Sequence, residues 1–366
     1  MSQGDDKVLV NADVLRDRCA ALFEGAGLSG AGAGQVATVL VGADLRGVTT
    51  HGVARVPLYL DRLMRGLVNP RPEIKVERRR PTSLVIDGDN GMGAVVGTRA
   101  MDEVIARARE IGIGAATVRH SNHFGAAAIY VQEAARQGCI GMAVSPASPS
   151  LAPFGAREPL FGTNPIAMAV PTRDRDPWVM DMATSVAARG AIRLAAKRGQ
   201  PIPEGWALDR EGRPTTDPVA AMEGLMVPFA GPKGSALAMM VEIMGGVLAG
   251  ASATGEVGEM GRTMDRPQNV GHFMMAMDID AFMDRALFDD RMEDSLRRLK
   301  ALKPAAGFKE VLYPGELEAR RERHYRRHGV PLSRKTAFEP LSECLKASGL
   351  HELPTLEMPD SQEARR

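Results

Sequence analysis

Ile140-Gly-Met-Ala-Val144 and Ile166-Ala-Met-Ala-Val170 are short apolar runs bounded by turn residues, and they predict buried β-strands. Helical patterns lie between some of the runs, over residues 97–111, 126–137 and 235–249. Strands that alternate with helices are typical of an α/β domain, which we place at residues 79–284. Four further runs have the same character: Ser83-Leu-Val-Ile-Asp87, Gly114-Ala-Ala-Thr-Val118, Trp178-Val-Met-Asp181 and Phe273-Met-Met-Ala-Met277.

The chain on either side of this region has a helical pattern. Asn11 can cap a helix that runs to about Glu24, and Ser29 can cap another that ends near Leu45. Pro57 leaves two possibilities for a third segment: the helix begins near Val56, or the turn before it is kinked. Residues 315–327 predict a basic amphipathic helix. We therefore expect residues 1–78, together with 285–366, to form a helical domain.

The charge balance limits the classes of partner. The 366 residues carry a formal net charge of +1, which argues against a general polyanion binder. The one strongly basic run, Arg320-Arg-Glu-Arg-His-Tyr-Arg-Arg-His328, is therefore interpreted as a solvated helix rather than a nucleic-acid patch. We expect no nucleic-acid partner.

Cysteine usage and hydropathy indicate the compartment. Cys19, Cys139 and Cys344 are odd in number and far apart, which is typical of a reducing environment. The acidic N-terminus shows no signal peptide. The most apolar stretch, residues 236–253, is interrupted by Glu242 and several glycines, so it predicts a buried helix rather than a membrane span. We expect a cytoplasmic protein without a membrane partner.

A match to the dinucleotide-binding fingerprint is misleading. Gly25-Ala-Gly27-Leu-Ser-Gly30 has the required glycine spacing, and Asp44 lies roughly where a ribose-binding acid is expected. The fingerprint works only where the loop leaves a strand and opens a helix. Here it leaves one amphipathic helix and joins another. We therefore predict a fold that is not a Rossmann fold.

The segment Arg46-Gly-Val-Thr-Thr-His-Gly-Val-Ala-Arg55 carries the strongest chemical pattern. If Thr50 to Arg55 begins a helix, His51 and Arg55 project from one face. An imidazole beside a guanidinium suits a small carboxylic acid whose neighbouring carbon exchanges a proton. The alternative is a helix start with a surface histidine and a surface arginine.

Three other segments are candidate sites. Arg119-His-Ser-Asn-His123 follows a strand and carries two histidines, but no carboxylate or cysteine cluster completes a metal site, so we expect no metal. Asp181 lies at a strand end, where an acid can bind a ribose, and the hydroxyls of Thr184 and Ser185 that follow can hold a phosphate or simply cap a helix. Lys233 follows a glycine turn and suits a phosphate or carboxylate, although a solvated lysine has the same pattern.

Seven ordered blocks resemble one family. The chain resembles the malate/L-lactate dehydrogenase type 2 family, which also includes ureidoglycolate, sulfolactate and diketogulonate oxidoreductases and cyclic-imine reductases. The resemblance covers about residues 10–350. Its blocks are Arg46–Arg55, Ser121-Asn-His-Phe-Gly125, Pro159-Leu-Phe-Gly-Thr-Asn-Pro-Ile-Ala167, Asp181-Met-Ala-Thr-Ser185, Pro201-Ile-Pro-Glu-Gly-Trp-Ala-Leu-Asp209, Lys233-Gly and Asn269-Val-Gly-His272.

The resemblance implies a homodimeric enzyme that transfers a hydride with NAD or NADP. It also implies a non-Rossmann α/β cofactor-binding domain beside a helical domain built from both chain ends. His51 would be the acid/base, and His123 would lie near the nicotinamide or serve as the alternative acid/base. Arg55 would hold the substrate carboxylate, with Thr50 near the reacting centre. The cofactor-contacting positions would be Ser148, Asp181, Met182, Ala183, Lys233, Pro314, Gly315 and Glu316.

Departures from the family pattern leave the substrate open. Many members have Asp-Ser before the first histidine, where this chain has Thr49-Thr50, and Tyr-Gly after the lysine-glycine pair, where it has Ser235-Ala236. The second change is reminiscent of the imine reductases. The leading hypothesis is a 2-hydroxy acid dehydrogenase, and the alternative is a reductase of cyclic imino acids. A catalytically inactive binding homologue is disfavoured because His51, His123 and the other site residues are all retained.

Overall fold

The structure is a computed structural model that describes residues 6–357. Residues 1–5 and 358–366, the two ends of the predicted helical domain, lie outside the described residues. The strands are β1 (Lys7–Val10), β2 (Lys75–Arg78), β3 (Ser83–Asp87), β4 (Ile113–Ser121), β5 (Cys139–Val144), β6 (Ile166–Val170), β7 (Trp178–Met182), β8 (Ala207–Leu208), β9 (Pro214–Thr215), β10 (Leu225–Met226), β11 (Val270–Asp278) and β12 (Val330–Ser333).

The helices alternate with these strands in the middle of the chain and dominate near both ends. They are α1 (Ala12–Gly25), α2 (Gly30–Leu45), α3 (Val56–Met64), α4 (Gly93–Ile111), α5 (Ala128–Arg136), α6 (Arg189–Arg198), α7 (Pro218–Glu223), α8 (Pro232–Val241), α9 (Arg285–Lys300), α10 (Glu316–His328) and α11 (Glu339–Ala347). Short 3-10 turns cover Thr49–His51, Val53–Arg55 and Ile279–Ala281, and π-helical turns cover Glu242–Val247 and Arg334–Phe338.

A seven-stranded sheet, in the order β2-β3-β4-β11-β5-β6-β7, forms the centre of the molecule. All six apolar runs lie in its strands, so the predicted α/β class is confirmed. Only β3 and β4 are parallel, joined by the crossover helix α4, and every other neighbouring pair is antiparallel. Strand β11 returns from a distant part of the chain, inserts between β4 and β5, and pairs antiparallel with both, while β2-β3, β5-β6 and β6-β7 are antiparallel pairs of consecutive strands.

Local signals set the helices near the N-terminus. The Asn11 side chain accepts hydrogen bonds from the backbone of α1, and Ser29 caps α2. The loop between α1 and α2 joins two helices, which confirms that the Gly25–Gly30 match is not a dinucleotide fingerprint. Leu15 and Phe23 of α1 are fully buried, and burial of each such side chain contributes roughly 1.5–3 kcal/mol.

The two ends of the described chain meet. Strand β1 pairs antiparallel with β12, and Leu9 also pairs with Leu356. Helix α10 packs on α2, and α11 packs on α1 and α3. Strand β2, which the predicted division assigns to the helical part, pairs with β3 in the sheet. The boundaries after residues 78 and 284 stay a prediction.

A small three-stranded sheet, ordered β10-β8-β9, was not predicted from the sequence. Its strands have two residues each, too few to show an alternating pattern. With α6 and α7 it surrounds a separate apolar cluster that includes Leu151, Phe161 and Ile192. Helix α6 of this unit begins next to the Arg46–Arg55 segment. A Cβ atom added to Gly190 would lie 3.5 Å from the Thr50 side chain.

The predicted helix over residues 235–249 consists of α8 and the π-helical turn Glu242–Val247. The turn packs tightly on the sheet, since a Cβ on Gly245 would lie 2.6 Å from Pro146. Within residues 6–357, no helix has both the length and the apolar character needed to cross a membrane.

Candidate active site

The Arg46–Arg55 segment forms two 3-10 turns rather than the start of one helix. The expected single helical face is therefore wrong, and the reason is Asp44. Its buried carboxylate accepts a hydrogen bond from the Val53 amide at 2.7 Å. A Cβ on Gly52 would lie only 2.0 Å from that carboxylate, so the position requires glycine. Helix α3 begins at Val56 with Pro57 in its first turn. This agrees with the first of the two predicted possibilities, a helix that begins near Val56.

The turns still bring the predicted side chains together. Arg55 donates through Nε to the Thr50 carbonyl oxygen at 2.7 Å. The Thr50 hydroxyl lies 3.0 Å from His51 Nδ1. Burial, together with the charge of Arg55, lowers the pKa of His51 to about 4. His51 is therefore neutral at pH 7 in this structure.

His123 joins this group from the loop after β4. The imidazole rings of His51 and His123 are stacked, with centroids 5.5 Å apart and planes 17° from parallel. Burial, followed by the neighbouring His51 and Arg55, lowers the pKa of His123 well below its usual range. Two stacked imidazoles beside a guanidinium favour at most one protonated ring, because adjacent positive charges repel.

Tyr59 on α3 completes the group, and our sequence analysis gave it no role. Its hydroxyl lies 2.6 Å from His123 Nδ1. Burial raises the pKa of Tyr59, so the hydroxyl stays protonated and donates this hydrogen bond. The His123 proton then resides on Nε2. The four-residue spacing from Arg55 to Tyr59 was the available signal, since such residues share a helical face.

His272 holds the His123 loop from inside the sheet. Its ring is fully buried, and its two nitrogens each lie 2.9 Å from a serine hydroxyl, Ser145 on one side and Ser121 on the other. Phe124 stacks on the same ring at 4.4 Å. Burial lowers the pKa of His272 to about 3, so it acts as a neutral cross-link between strands.

Asp181, at the end of β7, lies next to this loop. Its Oδ2 accepts a hydrogen bond from the Ala128 amide at 2.8 Å, in the first turn of α5. Because α5 begins just after His123, this contact brings Asp181 to the same region as the histidines. Part of the role of Asp181 is thus to cap α5, a contact between distant segments that the sequence did not predict.

Two other predicted cofactor segments border β7. The Pro314 carbonyl accepts from the Val179 amide at 3.0 Å, and Gly315, with φ of 88°, approaches the same residue. On the other side, the Phe229 amide donates to the Thr184 carbonyl at 3.0 Å, which brings the turn before Lys233 to the segment after Asp181. Met182 and Ala183 lie between these two contacts.

The other predicted cofactor-contacting residues are Glu316, Ser148 and Lys233. Glu316 is buried and paired with Lys300 at 2.9 Å and with Arg320, so its carboxylate is engaged within the protein. Ser148 lies half-buried in the loop after β5. Lys233 is exposed on the first turn of α8. No hydrogen bond within residues 6–357 joins Ser148 or Lys233 to the two stacked histidines.

His120, the other histidine of the predicted loop segment, has a different environment. It lies 2.9 Å from Asp87, at the carboxyl ends of the parallel strands β3 and β4. The pair holds the two strand ends together. This contact accounts for His120 without a ligand.

Comparisons with known proteins identify the family. The family model described as malate/L-lactate dehydrogenase matches residues 10–339. The chain is 39% identical to the L-sulfolactate dehydrogenase of Methanocaldococcus jannaschii over 318 residues, covering 86% of this chain and 90% of that protein. It is 36% identical to the ureidoglycolate dehydrogenase (NAD(+)) of Escherichia coli strain K12, covering 84% and 87% of the two chains. It is 40% identical to the (2R)-3-sulfolactate dehydrogenase (NADP(+)) of Chromohalobacter salexigens, covering 72% and 80%.

A solved structure agrees with these matches. The Δ1-piperideine-2-carboxylate reductase from Pseudomonas syringae superposes with a TM-score of 0.82 at 31% identity, covering 92% of this chain and 99% of that one. The fold and site thus define an oxidoreductase of the non-Rossmann NAD(P)-dependent class. This chain belongs to the malate/L-lactate dehydrogenase family, so the resemblance inferred from the ordered blocks is confirmed.

Proposed function

We propose that this protein interconverts a small 2-hydroxy acid and its 2-oxo acid with NAD or NADP. The substrate is of the malate, L-lactate, sulfolactate or ureidoglycolate type. The observation that carries the proposal is the stacked pair of His51 and His123 with Arg55 beside it. This arrangement places a carboxylate-binding fork next to two imidazoles, the side-chain type that most often serves as a general acid or base.

Arg55 is the carboxylate anchor in this proposal. Its Nε donates a hydrogen bond to the Thr50 carbonyl oxygen. Within residues 6–357, its two terminal nitrogens have no hydrogen-bond partner. A guanidinium held in this way presents a fixed fork that matches a carboxylate. The Thr50 contact therefore orients Arg55 before the substrate arrives.

The protonated form of His51 supplies the proton to the carbonyl oxygen of the 2-oxo acid from Nε2 and is left as the neutral imidazole. The Thr50 hydroxyl at Nδ1 supports the other edge of the ring. His123, with its proton on Nε2 because Tyr59 donates to Nδ1, offers a second donor to the reacting oxygen. The activity of His51→Ala decides whether His51 or His123 is the main acid/base.

The edge formed by β7 and its neighbours fits a nicotinamide dinucleotide. A carboxylate at Asp181 suits ribose hydroxyls, and the exposed Lys233 at a helix start suits a phosphate. Backbone groups beside them are offered by Met182, Ala183, Pro314 and Gly315, and Ser148 lies in the loop after β5. The Glu316 carboxylate accepts a hydrogen bond from the Tyr313 amide at 3.3 Å and so supports the Pro314–Gly315 turn. The reduced cofactor, when bound, supplies the hydride.

The cyclic-imine reductase alternative has its own support. Ser235, where hydroxy-acid members often have tyrosine, accepts a hydrogen bond from the Phe154 amide at 3.1 Å. The reductase of cyclic imines is also a structural neighbour of this chain. In that reaction His51 would protonate nitrogen instead of oxygen.

The test is nicotinamide oxidation by the purified protein with NADH and NADPH. The assay includes oxo acids of the malate and lactate type, sulfopyruvate and piperideine-2-carboxylate. Turnover of an oxo acid supports the leading proposal, and turnover of the imine alone favours the alternative. No turnover with any of them contradicts the enzymatic role for these substrates.

We also propose that the protein works as a homodimer in the cytoplasm. The described cysteines are all free, which suits a reducing compartment. The α8 segment and the turn after it expose an apolar stripe, formed by Met239, Ile243, Val247 and Leu248. A contiguous stripe of this kind is typical of a protein interface. We propose that a second copy of the chain covers this stripe.

We also propose the division into a helical domain, residues 1–78 with 285–366, and an α/β domain, residues 79–284.

The oligomeric state in solution tests whether this apolar stripe forms the dimer interface. Ile243→Asp is expected to give a monomer by light scattering coupled to size-exclusion chromatography, since a charge in an apolar interface opposes association. Phe308→Asp, at another exposed apolar position, is the control and should leave the mass unchanged. A monomeric wild-type protein contradicts the proposed dimer.

A further inference from the structure

Glu242 carries a buried carboxylate that the proposed reaction does not use. It begins the π-helical turn that follows α8, and the residue is only 1% exposed. In the part of the chain that the structure describes, no basic side chain pairs with it. Burial raises the pKa of Glu242, although two hydrogen-bond donors lower it. A buried carboxylate without a cation costs folding free energy, so stability alone does not account for this residue.

Two donors from distant loops bind the two oxygens of this carboxylate. Asn164 Nδ2 donates to Oε1 at 2.8 Å, and the Thr254 amide donates to Oε2 at 2.7 Å. Both donor residues have a left-handed backbone, with φ of 34° at Asn164 and 43° at Thr254. Such a conformation is uncommon for residues other than glycine, above all for a β-branched residue such as threonine. The carboxylate therefore holds two strained loops in place.

The Asn164 side chain joins this carboxylate to two predicted cofactor-contacting segments. Its Oδ1 accepts from the Ala147 amide at 3.0 Å, and Ala147 precedes Ser148 in the loop after β5. Its Nδ2 also donates to the Ala238 carbonyl at 3.0 Å. Ala238 lies on α8, the helix whose first turn carries Lys233. Asn164 is completely buried, so water does not compete for these contacts.

The contacts of Asn164 also fix the orientation of its amide. The oxygen faces a donor, the Ala147 amide, while the nitrogen faces two acceptors, the Ala238 carbonyl and the Glu242 carboxylate. Exchanging the two atoms would place nitrogen against the Ala147 amide and oxygen against the carboxylate. A changed donor pattern at Asn164 or Glu242 must therefore break a contact in one of the joined segments.

We propose that Glu242 and Asn164 form a positioning pair for the nicotinamide dinucleotide. The pair holds the loop after β5 and helix α8 at a fixed separation. Ser148 and Lys233 can then contact one cofactor molecule without first ordering these segments, which lowers the entropic cost of binding. The role rests on the proposed function, because that function assigns Ser148 and Lys233 to the cofactor. The pair acts on cofactor affinity and not on proton transfer at the stacked histidines.

Glu242→Gln tests the pair, because it keeps the shape of the side chain and replaces one acceptor oxygen by an amide nitrogen. Either Asn164 or Thr254 then loses its acceptor. We expect Kd for the reduced cofactor, measured by fluorescence titration with NADH and NADPH, to rise about tenfold. The kcat at saturating cofactor should change by less than about twofold. Glu256→Gln is the matched control, since its side-chain oxygen can still accept from the Ala253 amide, and its Kd should equal that of wild type.

An exchanged pair separates positioning from the mere loss of a charge. In Asn164→Asp combined with Glu242→Gln, the new amide at 242 can donate to the carboxylate at 164 while its oxygen accepts from Thr254. The carboxylate still accepts from Ala147, and only the contact with Ala238 is lost. We expect Kd to recover to within about threefold of wild type. Asn164→Asp alone should bind at least as weakly as Glu242→Gln, because two carboxylates then face each other.

Wild-type Kd values in all these variants overturn the proposal, and so does a lower Tm in Glu242→Gln without a change in Kd. If the wild-type protein binds neither NADH nor NADPH, the proposed function fails together with this inference, so the two failures are distinguishable. If Glu242→Gln does not fold, hydrogen–deuterium exchange of the wild-type protein decides. The cofactor should slow exchange both in residues 146–150 and in α8, and slowing in only one of these segments contradicts the pair.

Discussion

The imidazole rings of His51 and His123 lie stacked 5.5 Å apart, although the residues come from different parts of the chain. Each ring has its own hydroxyl at Nδ1, Thr50 for His51 and Tyr59 for His123. The Nε2 atom of each ring is therefore the one available for chemistry. The two histidines therefore belong to one site, and substitution of each in turn can measure its contribution to turnover.

The first prediction separates the two histidines. His51→Ala is expected to lower kcat for reduction by about 10²–10⁴-fold, the usual contribution of a positioned acid. Binding of NADH or NADPH, measured by fluorescence titration, should change little. His324→Ala on the exposed face of α10 is the control. Near-normal turnover in His51→Ala would transfer the role of acid to His123.

The second prediction concerns Arg55. Arg55→Lys keeps the charge but loses both the planar fork and the Nε contact with Thr50. We expect KM for the carboxylate substrate to rise by roughly 10- to 100-fold, with a smaller change in kcat. Arg65→Lys, at an exposed ion pair with Asp61, is the matched control. An unchanged KM would remove Arg55 from the substrate site.

The third prediction is a difference between two pH profiles of the reduction reaction. Burial and Arg55 lower the pKa of His51 to about 4, so the protonated acid becomes scarce as pH rises above that value. A bound carboxylate neutralises Arg55 and should raise the pKa of His51. We therefore expect kcat to persist to higher pH than kcat/KM, which reports the enzyme before the oxo acid binds.

Arg55→Gln supplies the control for these profiles. Removing the guanidinium charge should raise the pKa of His51 in the absence of substrate and bring the two profiles together. The profiles are measured from about pH 5 to 9. Coincident profiles in the wild-type enzyme would contradict the proposed coupling between Arg55 and the acid.

The fourth prediction concerns Tyr59. Tyr59→Phe removes the hydroxyl that donates to His123 Nδ1 and leaves the ring packing in place. We expect kcat to fall about tenfold, equivalent to about 1.4 kcal/mol, and the 15N spectrum of His123 to show mixed tautomers. Tyr325→Phe on α10 is the control. A lower kcat with an unchanged His123 spectrum would assign Tyr59 a different role.

The fifth prediction is a pH dependence of stability. Burial raises the pKa of Asp44 to about 7, so the folded state retains a proton that the unfolded chain releases near pH 4. The Asp44 contribution to the free energy of unfolding therefore falls as pH rises from about 4 to 7, by at most about 4 kcal/mol. Asp44→Asn should remove this fall while an amide oxygen still accepts from Val53.

The comparison of Tm between Asp44→Asn and wild type checks this. The Tm of Asp44→Asn, measured by calorimetry, should increase relative to the Tm of wild type between pH 5 and pH 8. Asp61→Asn, at an exposed ion pair, is the control and should show no comparable trend. A difference in Tm that does not vary with pH would show that Asp44 is ionised throughout.

Local patterns in the sequence determined the positions of the main strands and of the first two helices. The caps at Asn11 and Ser29 and the apolar runs depend on residues close in sequence, so they could be identified without the fold. The same holds for Thr50, His51 and Arg55, which lie within six residues, and the ordered blocks identified the family.

Only the tertiary structure decided how these elements meet. The insertion of β11 between β4 and β5 depends on contacts between distant segments. The turn at Gly52 depends on the buried Asp44, which an isolated helical pattern does not show. The stacking of His51 on His123, and the Tyr59 hydroxyl behind it, arise because α3 packs against the loop after β4. Burial then sets the protonation of both rings, and burial is a property of the packed molecule rather than of the local sequence.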